Sequence, residues 1–219
     1  HDEGTCRMLL ESHTNFDIAN VGNKDFNQFD VIVIPGKACL EIDDAERLKN
    51  FIDSGGGILV IGSGALDKAH QNTLVDIGAK YLGKSEFDKD YLVVKEDIGS
   101  GLVKSPFLCY EPALRVAPHP DTKVLATIRE PYFSRTYEKF TSHQNTPFKL
   151  VDADYPGVIQ NGKVIFIAHE LDAIYYDYGA RLHRDLFANA LGILNSRPMV
   201  ETSLPSAGRI SLLHQPDEG

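Results

Sequence analysis

The chain has 219 residues with 31 acidic and 22 basic side chains, and its formal charge of −9 argues against binding to a nucleic-acid backbone. Its 42 % hydrophobic and 24 % charged residues are typical of a globular domain rather than of a disordered segment or a fibre. No apolar run reaches the roughly 18 residues of a membrane span, and the first residues lack the charged-then-apolar layout of a secretory signal. We therefore expect neither a nucleic acid nor a membrane as partner.

The number and spacing of the cysteines indicate in which redox compartment the protein is located. Cys6, Cys39 and Cys109 are odd in number, widely separated and free of any CxxC spacing. This pattern disfavours a disulfide scaffold and a structural zinc site, and it favours a reducing compartment. We expect a cytoplasmic protein without a metal.

The first third of the chain predicts alternating helices and strands. Apolar spacing predicts a helix around residues 6–13 and a strand over 16–21. The unbroken apolar runs at 29–36 and 58–61 are typical of buried parallel strands. Between them a helical stripe spans 45–52, with Asp43 and Asp44 as N-cap candidates.

A further helix is predicted over residues 66–77, ending at Gly78. This order of elements favours an α/β fold: a doubly wound, mainly parallel, flavodoxin-like sheet with helices on both faces.

The remainder predicts strands over 91–95 and 123–128, separated by loops rich in glycine and proline. Asn161-Gly162 predicts a hairpin turn between strands at 158–160 and 163–168. A helix over 182–194 is expected to end before Pro198.

The domain organisation expected from this pattern is one domain over residues 1–198, with a linker and the first strand of a C-terminal β-domain over 199–219. A single hairpin arm without a partner strand is not stable. A ragged terminus and a fragment of a longer protein both explain such ends, and the fragment is favoured.

The first candidate site is Gly62-Ser63-Gly64, which follows a buried strand, where doubly wound sheets bind ligands. The nucleophile elbow G-x-S-x-G would need glycines where this chain has Ile61 and Ala65. A tight turn that permits close packing is therefore favoured over a nucleophilic Ser63.

The second candidate is His169-Glu170, at the end of a predicted strand. A histidine beside a carboxylate suits a general base with its orienting partner. Successive strand residues point to opposite faces, however, so Glu170 is not placed to orient His169. A histidine with a hydrogen-bond partner at the sheet edge is the favoured interpretation.

The third candidate is the segment 129–147, which holds four aromatic residues, two arginines, a histidine and two amides. Such a mixture suits a subunit interface or a carbohydrate site, and a surface loop whose rings cover the core is the alternative. The candidate contact residues are Arg129, Tyr132, Arg135, Tyr137, His143, Gln144 and Asn145.

The remaining motifs are few. Asp152 and Asp154 alone are a weak cation site, and a solvated turn is favoured. The sequence contains no Walker loop, G-x-G-x-x-G, H-E-x-x-H or EF-hand loop. We predict no cofactor and no assembled catalytic group.

Several segments resemble a known superfamily. FDVIVIPG at 29–36, the acidic-capped helix and FIDSGGGILVIG at 51–62 are similar to the class I glutamine amidotransferase-like superfamily. Within it the chain resembles the beta-galactosidase trimerisation domain, which follows the catalytic barrel of certain glycoside hydrolases. Residues 131–147 and 154–158 carry the more particular likeness, and 209–219 look like the first arm of the C-terminal β-sandwich.

The resemblance covers nearly the whole chain and carries implications for function. Amidotransferases place a cysteine on the elbow and a histidine and glutamate after a later strand. Here Ser63 takes the elbow position and His169 the strand end, with Glu170 one residue too early. The resemblance thus implies a non-catalytic oligomerisation domain, with a first strand missing before His1.

The expected partners are further copies of the chain in a trimer, the catalytic barrel of the same polypeptide and a carbohydrate. A stand-alone hydrolase using Ser63, His169 and Glu170, or a carbohydrate-binding module, remains the alternative.

Overall fold

A computed structural model of the protein describes residues 1–19, 25–38 and 40–213. Short 3-10 turns span Phe26–Gln28 and Gly62–Ala65. The helices and strands in these ranges are α1 (Asp2–Glu11), β1 (Val31–Ile34), α2 (Ile42–Asp53), β2 (Gly57–Ile61), β3 (Ala79–Lys84), β4 (Asp90–Val94), β5 (Phe107–Cys109), β6 (Leu114–Pro118), β7 (Lys123–Arg129), β8 (Pro156–Asn161), β9 (Val164–Ile167), α3 (Leu171–Tyr178) and α4 (Arg181–Leu194).

The main sheet has the strand order β1-β2-β9-β8-β7-β4-β5. Only the pairs β1–β2 and β2–β9 are parallel, and every other neighbouring pair is antiparallel. The expected mainly parallel, doubly wound, flavodoxin-like sheet is therefore corrected to a mixed, mostly antiparallel one. The short turn at Gly162 makes the β8–β9 pair antiparallel, and β7, β4 and β5 then extend the sheet from β8 with an antiparallel pairing at each step.

Two apolar clusters cover the two faces of the sheet. Alternate residues of β2 and β9, such as Leu59 and Ile165, pack with α1, α3 and α4 on one face. Their neighbours Ile58 and Val164 pack on the other face with α2 and the two-stranded sheet β3–β6. Helices on both faces were expected, and the period-2 alternation of strands explains the arrangement.

Several predicted elements are confirmed: α1, β1, α2, β2, β4, β7, the β8–β9 hairpin and α4. The predicted N-caps of α2 are corrected, because the cap is Glu41. Its backbone N–H donates to the Asp44 carboxylate at 2.8 Å, as in a capping box.

The helix predicted over 66–77 does not form. The Asp67 carboxylate instead accepts bonds from the Gln71 N–H at 2.9 Å and from Asn72 Nδ2 at 3.0 Å. Local bonds of this kind compete with the helical pattern. Leu66 and Thr73 form an isolated antiparallel bridge.

The ends of the chain contain less regular structure. Residues 16–19 of the predicted 16–21 strand form no strand, and residues 20 and 21 of it lie outside the described part. Residues 208–213 likewise carry no strand, and residues 214–219 of the expected terminal strand are outside the described part. Within the described ranges, no helix combines the length and the apolarity needed to cross a membrane.

Candidate functional site

A polar cluster of the buried side chains Ser63, Glu170 and Asp172 lies where the parallel strands β1, β2 and β9 end. The carboxyl ends of parallel strands are the place where such sheets bind ligands. Gly36 follows β1, the turn Gly62–Ala65 follows β2, and His169 and Glu170 follow β9. The short parallel part of the sheet thus brings together the first two sequence-predicted candidate sites.

Ser63 is buried in this polar cluster, with 4 % of its surface exposed. Its hydroxyl accepts a hydrogen bond from the Lys37 backbone N–H at 3.2 Å. Its own backbone N–H donates to Glu170 Oε1 at 3.0 Å. Ser63 therefore contacts Glu170 through the main chain, while its hydroxyl stabilises the loop after β1.

His169 points to the opposite side of its strand. Its Nε2 lies 2.5 Å from Asp90 Oδ1, and both side chains are fully buried. Burial is the largest influence and opposes the charged imidazole, but the Asp90 carboxylate and the Cys109 side chain together outweigh it and raise the pKa of His169 well above its usual value. The partner of His169 is thus Asp90 at the start of β4, whereas Ser63 is bonded to Lys37 and Glu170.

Gly36 and Gly62 lie close to the Glu170 carboxylate. A Cβ at Gly36 would stand 2.0 Å from Glu170 Oε2, and one at Gly62 would stand 2.4 Å from it. Gly62 also has a φ of +48°, a left-handed backbone conformation that residues with a side chain rarely adopt. Among the described residues Glu170 Oε2 is buried without a hydrogen-bond partner.

Asp172 completes the polar cluster from the first turn of α3. It is fully buried, and its Oδ2 accepts a hydrogen bond from the Gly36 N–H at 2.7 Å. His1 Nδ1 lies 2.9 Å from Asp172 Oδ1 and 3.7 Å from Glu170 Oε2. Burial raises the pKa of Asp172. These three side chains place ligand atoms within 4.8 Å of one another, so they are one group able to hold a cation.

A second group of donors lies inside the core. Ligand atoms of Asp90, Cys109 and His169 are also within 4.8 Å of one another, and all three residues are fully buried. Burial raises the pKa of the Cys109 thiol, and the neighbouring His169 opposes that rise. Nitrogen, sulfur and carboxylate donors of this kind suit zinc.

The segment 129–147 forms a loop with a closed base. The Tyr132 N–H donates to the Pro147 carbonyl at 3.1 Å, and the Lys149 N–H donates to the Glu130 carbonyl at 2.8 Å. Within the loop, Arg135 donates to the Gln144 carbonyl at 3.0 Å. Cross-bonding of this kind gives the loop a defined shape.

Aromatic side chains of this loop face solvent. Tyr137 is 99 % exposed, Phe140 69 % and Tyr132 57 %. His143 and Gln144 are also exposed, whereas Asn145 is partly buried and its Oδ1 accepts from Lys89 Nζ at 3.5 Å. The exposed rings therefore do not cover the core.

Asp152 and Asp154, which follow the loop, each pair with a different arginine. Arg129 Nε donates to Asp152 Oδ1 at 3.1 Å, and Arg115 lies 3.5 Å from Asp154. These pairings provide each carboxylate with a cation from the chain itself.

The sequence did not predict a site role for three buried residues of these groups: Asp90, Cys109 and Asp172. Asp90 and Cys109 lie on strands β4 and β5, far from residue 169 in the chain, so no local spacing connects them. Asp172 follows Glu170 by two residues, and its position at the start of a helix was the only available signal.

These features define a layered α/β domain with a cluster of buried polar side chains at the ends of its parallel strands. No family model matches the chain, and no curated protein matches it in sequence. Similar folds occur in solved structures of glycoside hydrolases and of a smaller protein.

The alpha-L-fucosidase isoenzyme 2 from Paenibacillus thiaminolyticus has a TM-score of 0.81 and 24 % identity, over 88 % of this chain and 29 % of that one. A beta-galactosidase from Bacillus circulans sp. alkalophilus has a TM-score of 0.63 and 15 % identity, over 92 % of this chain and 28 % of that one. A ThuA-like protein from Bacteroides uniformis has a TM-score of 0.53 and 14 % identity, over 81 % of this chain and 77 % of that one. The chain thus spans less than a third of the two glycoside hydrolases.

Proposed function

We propose that this chain is a non-catalytic accessory domain of a glycoside hydrolase that acts on carbohydrate, with the catalytic barrel elsewhere in the same polypeptide. The observation that carries this proposal is the partial match. Nearly the whole chain superimposes on a minor part of two glycoside hydrolases, so the same fold there accompanies further domains. Free thiols at Cys6 and Cys109 favour a cytoplasmic location as part of the proposal.

The hydrogen bonds of the polar cluster support a non-catalytic role. Glycoside hydrolysis uses two carboxyl groups that reach the sugar from both sides. Asp172 is fully buried and accepts a bond from Gly36, and Glu170 accepts one from Ser63. Both carboxylates are therefore engaged in holding loops of the domain.

We propose further that the domain joins copies of the polypeptide into a trimer, with the 129–147 loop at the contact. Exposed aromatic side chains are characteristic anchors of protein interfaces. Tyr137 and Phe140 supply such anchors, and Arg135 holds the loop in shape through the Gln144 carbonyl. A closed rotational assembly buries the same loop in every subunit.

Light scattering on the purified chain tests the subunit contact. We expect a particle of three times the 24.2 kDa chain mass. The double variant Tyr137→Ser, Phe140→Ser should reduce it to a single chain. Leu82→Ser is the matched control, since Leu82 is an exposed apolar side chain on β3, outside the loop. A single-chain mass for the wild type, or a loop variant with unchanged mass, contradicts the trimer.

The same variants separate the alternatives. A loop variant that loses affinity for a monosaccharide while its mass is unchanged favours a carbohydrate-binding module instead. Ser63→Ala tests the stand-alone hydrolase: the proposal expects hydrolytic turnover by the full polypeptide to be unchanged. A turnover reduced a hundredfold or more, as on removal of a nucleophile, contradicts the non-catalytic assignment.

A further inference from the structure

The core group formed by Asp90, Cys109 and His169 contains an unexplained polar atom. His169 is fully buried, and its Nδ1 has no hydrogen-bond partner among the described residues. Buried polar atoms are almost always paired, so an unpaired ring nitrogen requires a physical explanation. The other ring nitrogen, Nε2, is bonded to Asp90 at 2.5 Å.

Histidines that bind metals show this arrangement. Such a histidine uses one ring nitrogen for the metal and donates the other N–H to a carboxylate or a backbone carbonyl, which fixes the ring. Asp90 is well placed for the second role, because its Oδ2 is itself held by the Ala113 N–H at 3.1 Å. Nδ1 of His169 is then left for a ligand.

A second buried histidine repeats the pattern close by. His183 is 2 % exposed, its Nε2 lies 3.1 Å from the Leu108 carbonyl, and its Nδ1 has no partner among the described residues. Leu108 is the residue before Cys109, so His183 is anchored to the strand that carries the thiol. His183 lies outside the 4.8 Å group and must approach Cys109 to join a ligand set.

We propose that Cys109 and His169 bind a zinc-class divalent cation inside the core, with Asp90 orienting His169 and His183 supplying a further nitrogen. Sulfur and imidazole donors select zinc over the hard cations Mg²⁺ and Ca²⁺. Binding releases two protons to solvent, one from the Cys109 thiol and one from Nδ1 of the charged His169 imidazole, because the thiolate and the neutral imidazole are the ligand forms. The cation gives the unpaired nitrogens of both histidines a partner.

Cobalt is the probe for this site, since a cobalt–thiolate bond absorbs light and reports the ligand directly. The chain is produced in medium supplemented with Co²⁺, and its metal content and absorption spectrum are measured after desalting. We expect about one cobalt per chain and a thiolate charge-transfer band. Cys109→Ala should lose both, and Asp90→Asn should weaken cobalt retention about 10- to 100-fold, as is usual when the group that orients a ligand is removed.

The double variant Cys6→Ala, Cys39→Ala is the matched control, because it leaves Cys109 as the single thiol. It should keep the band, and it tests the site even if Cys109→Ala does not fold. A wild type without bound cobalt overturns the proposal. So does a band that survives Cys109→Ala or disappears in the double variant.

Discussion

His183 makes the free energy of unfolding of this domain depend on pH. Its side chain is buried between α4 and β5, with its ring 5.9 Å from that of Phe107 and its Nε2 near the Leu108 carbonyl. Burial lowers the pKa of His183 from 6.5 to about 4. The folded protein therefore keeps this imidazole neutral where an unfolded chain binds a proton.

The sign and size of the effect follow from that shift. Above pH 6.5 the imidazole is neutral in both states and adds no pH dependence. Between pH 6.5 and about 4 the unfolded chain binds more protons, so the free energy of unfolding falls as the pH falls. A shift of about 2.5 units at 1.36 kcal/mol each corresponds to a loss of about 3 kcal/mol.

Urea denaturation of the chain freed of metal by a chelator, at a series of pH values from 7.5 to 4, measures this loss. His183→Gln keeps a donor for the Leu108 carbonyl but cannot be protonated, so its loss over this range should be smaller by about 3 kcal/mol. His119→Gln is the control, because His119 is exposed and should leave the wild-type profile unchanged. The reasoning is refuted if wild type and His183→Gln lose the same free energy of unfolding between pH 6.5 and 4.

Three further substitutions test packing and pairing by urea denaturation at neutral pH. Gly4→Ala places a Cβ 2.0 Å from the Asp172 carbonyl oxygen and should separate α1 from α3, at a cost of about 1–3 kcal/mol; an unchanged stability would show that the contact is loose. Gly192→Ala, in α4 with open space around its Cα, should instead stabilise by about 0.5–1 kcal/mol, and a loss would contradict the open environment. Asp90→Asn leaves the buried His169 without its carboxylate and should cost about 3–5 kcal/mol; a loss below 1 kcal/mol would mean that the pair is not ionised.

Local patterns in the sequence predicted the elements whose cause is local. The apolar runs of β1 and β2, the stripe of α4 and the turn at Gly162 depend on side-chain periodicity or on one backbone angle, and the structure has them all. Sheet direction depends on which strands become neighbours. Strand β4 pairs with β7, and β5 pairs with β4. No short stretch of the sequence predicts these pairings.

The same limit applies to the candidate sites. Alternation along β9 was enough to predict that Glu170 would not orient His169, and the structure places the two on different partners. The partner itself, Asp90, is 79 residues away in the chain and joins His169 only through the antiparallel half of the sheet. The 129–147 loop was predicted as a unit because its composition is local, whereas the bonds that close its base could not be predicted.

The two carboxylates of the polar cluster have a structural role that needs no catalytic function to explain it. Glu170 and Asp172 accept backbone N–H groups from the loops after β2 and β1, respectively, so both carboxylates connect separate parts of the chain. A carboxylate that satisfies a buried N–H is costly to replace, because its loss leaves that donor unpaired. Stability alone is thus sufficient to retain these acidic residues, and their presence at a strand end, where other folds hold ligands, is not by itself a sign of catalysis. The exposed rings of the 129–147 loop have no such internal role among the described residues, and for that reason the proposed contact with other subunits is assigned to them.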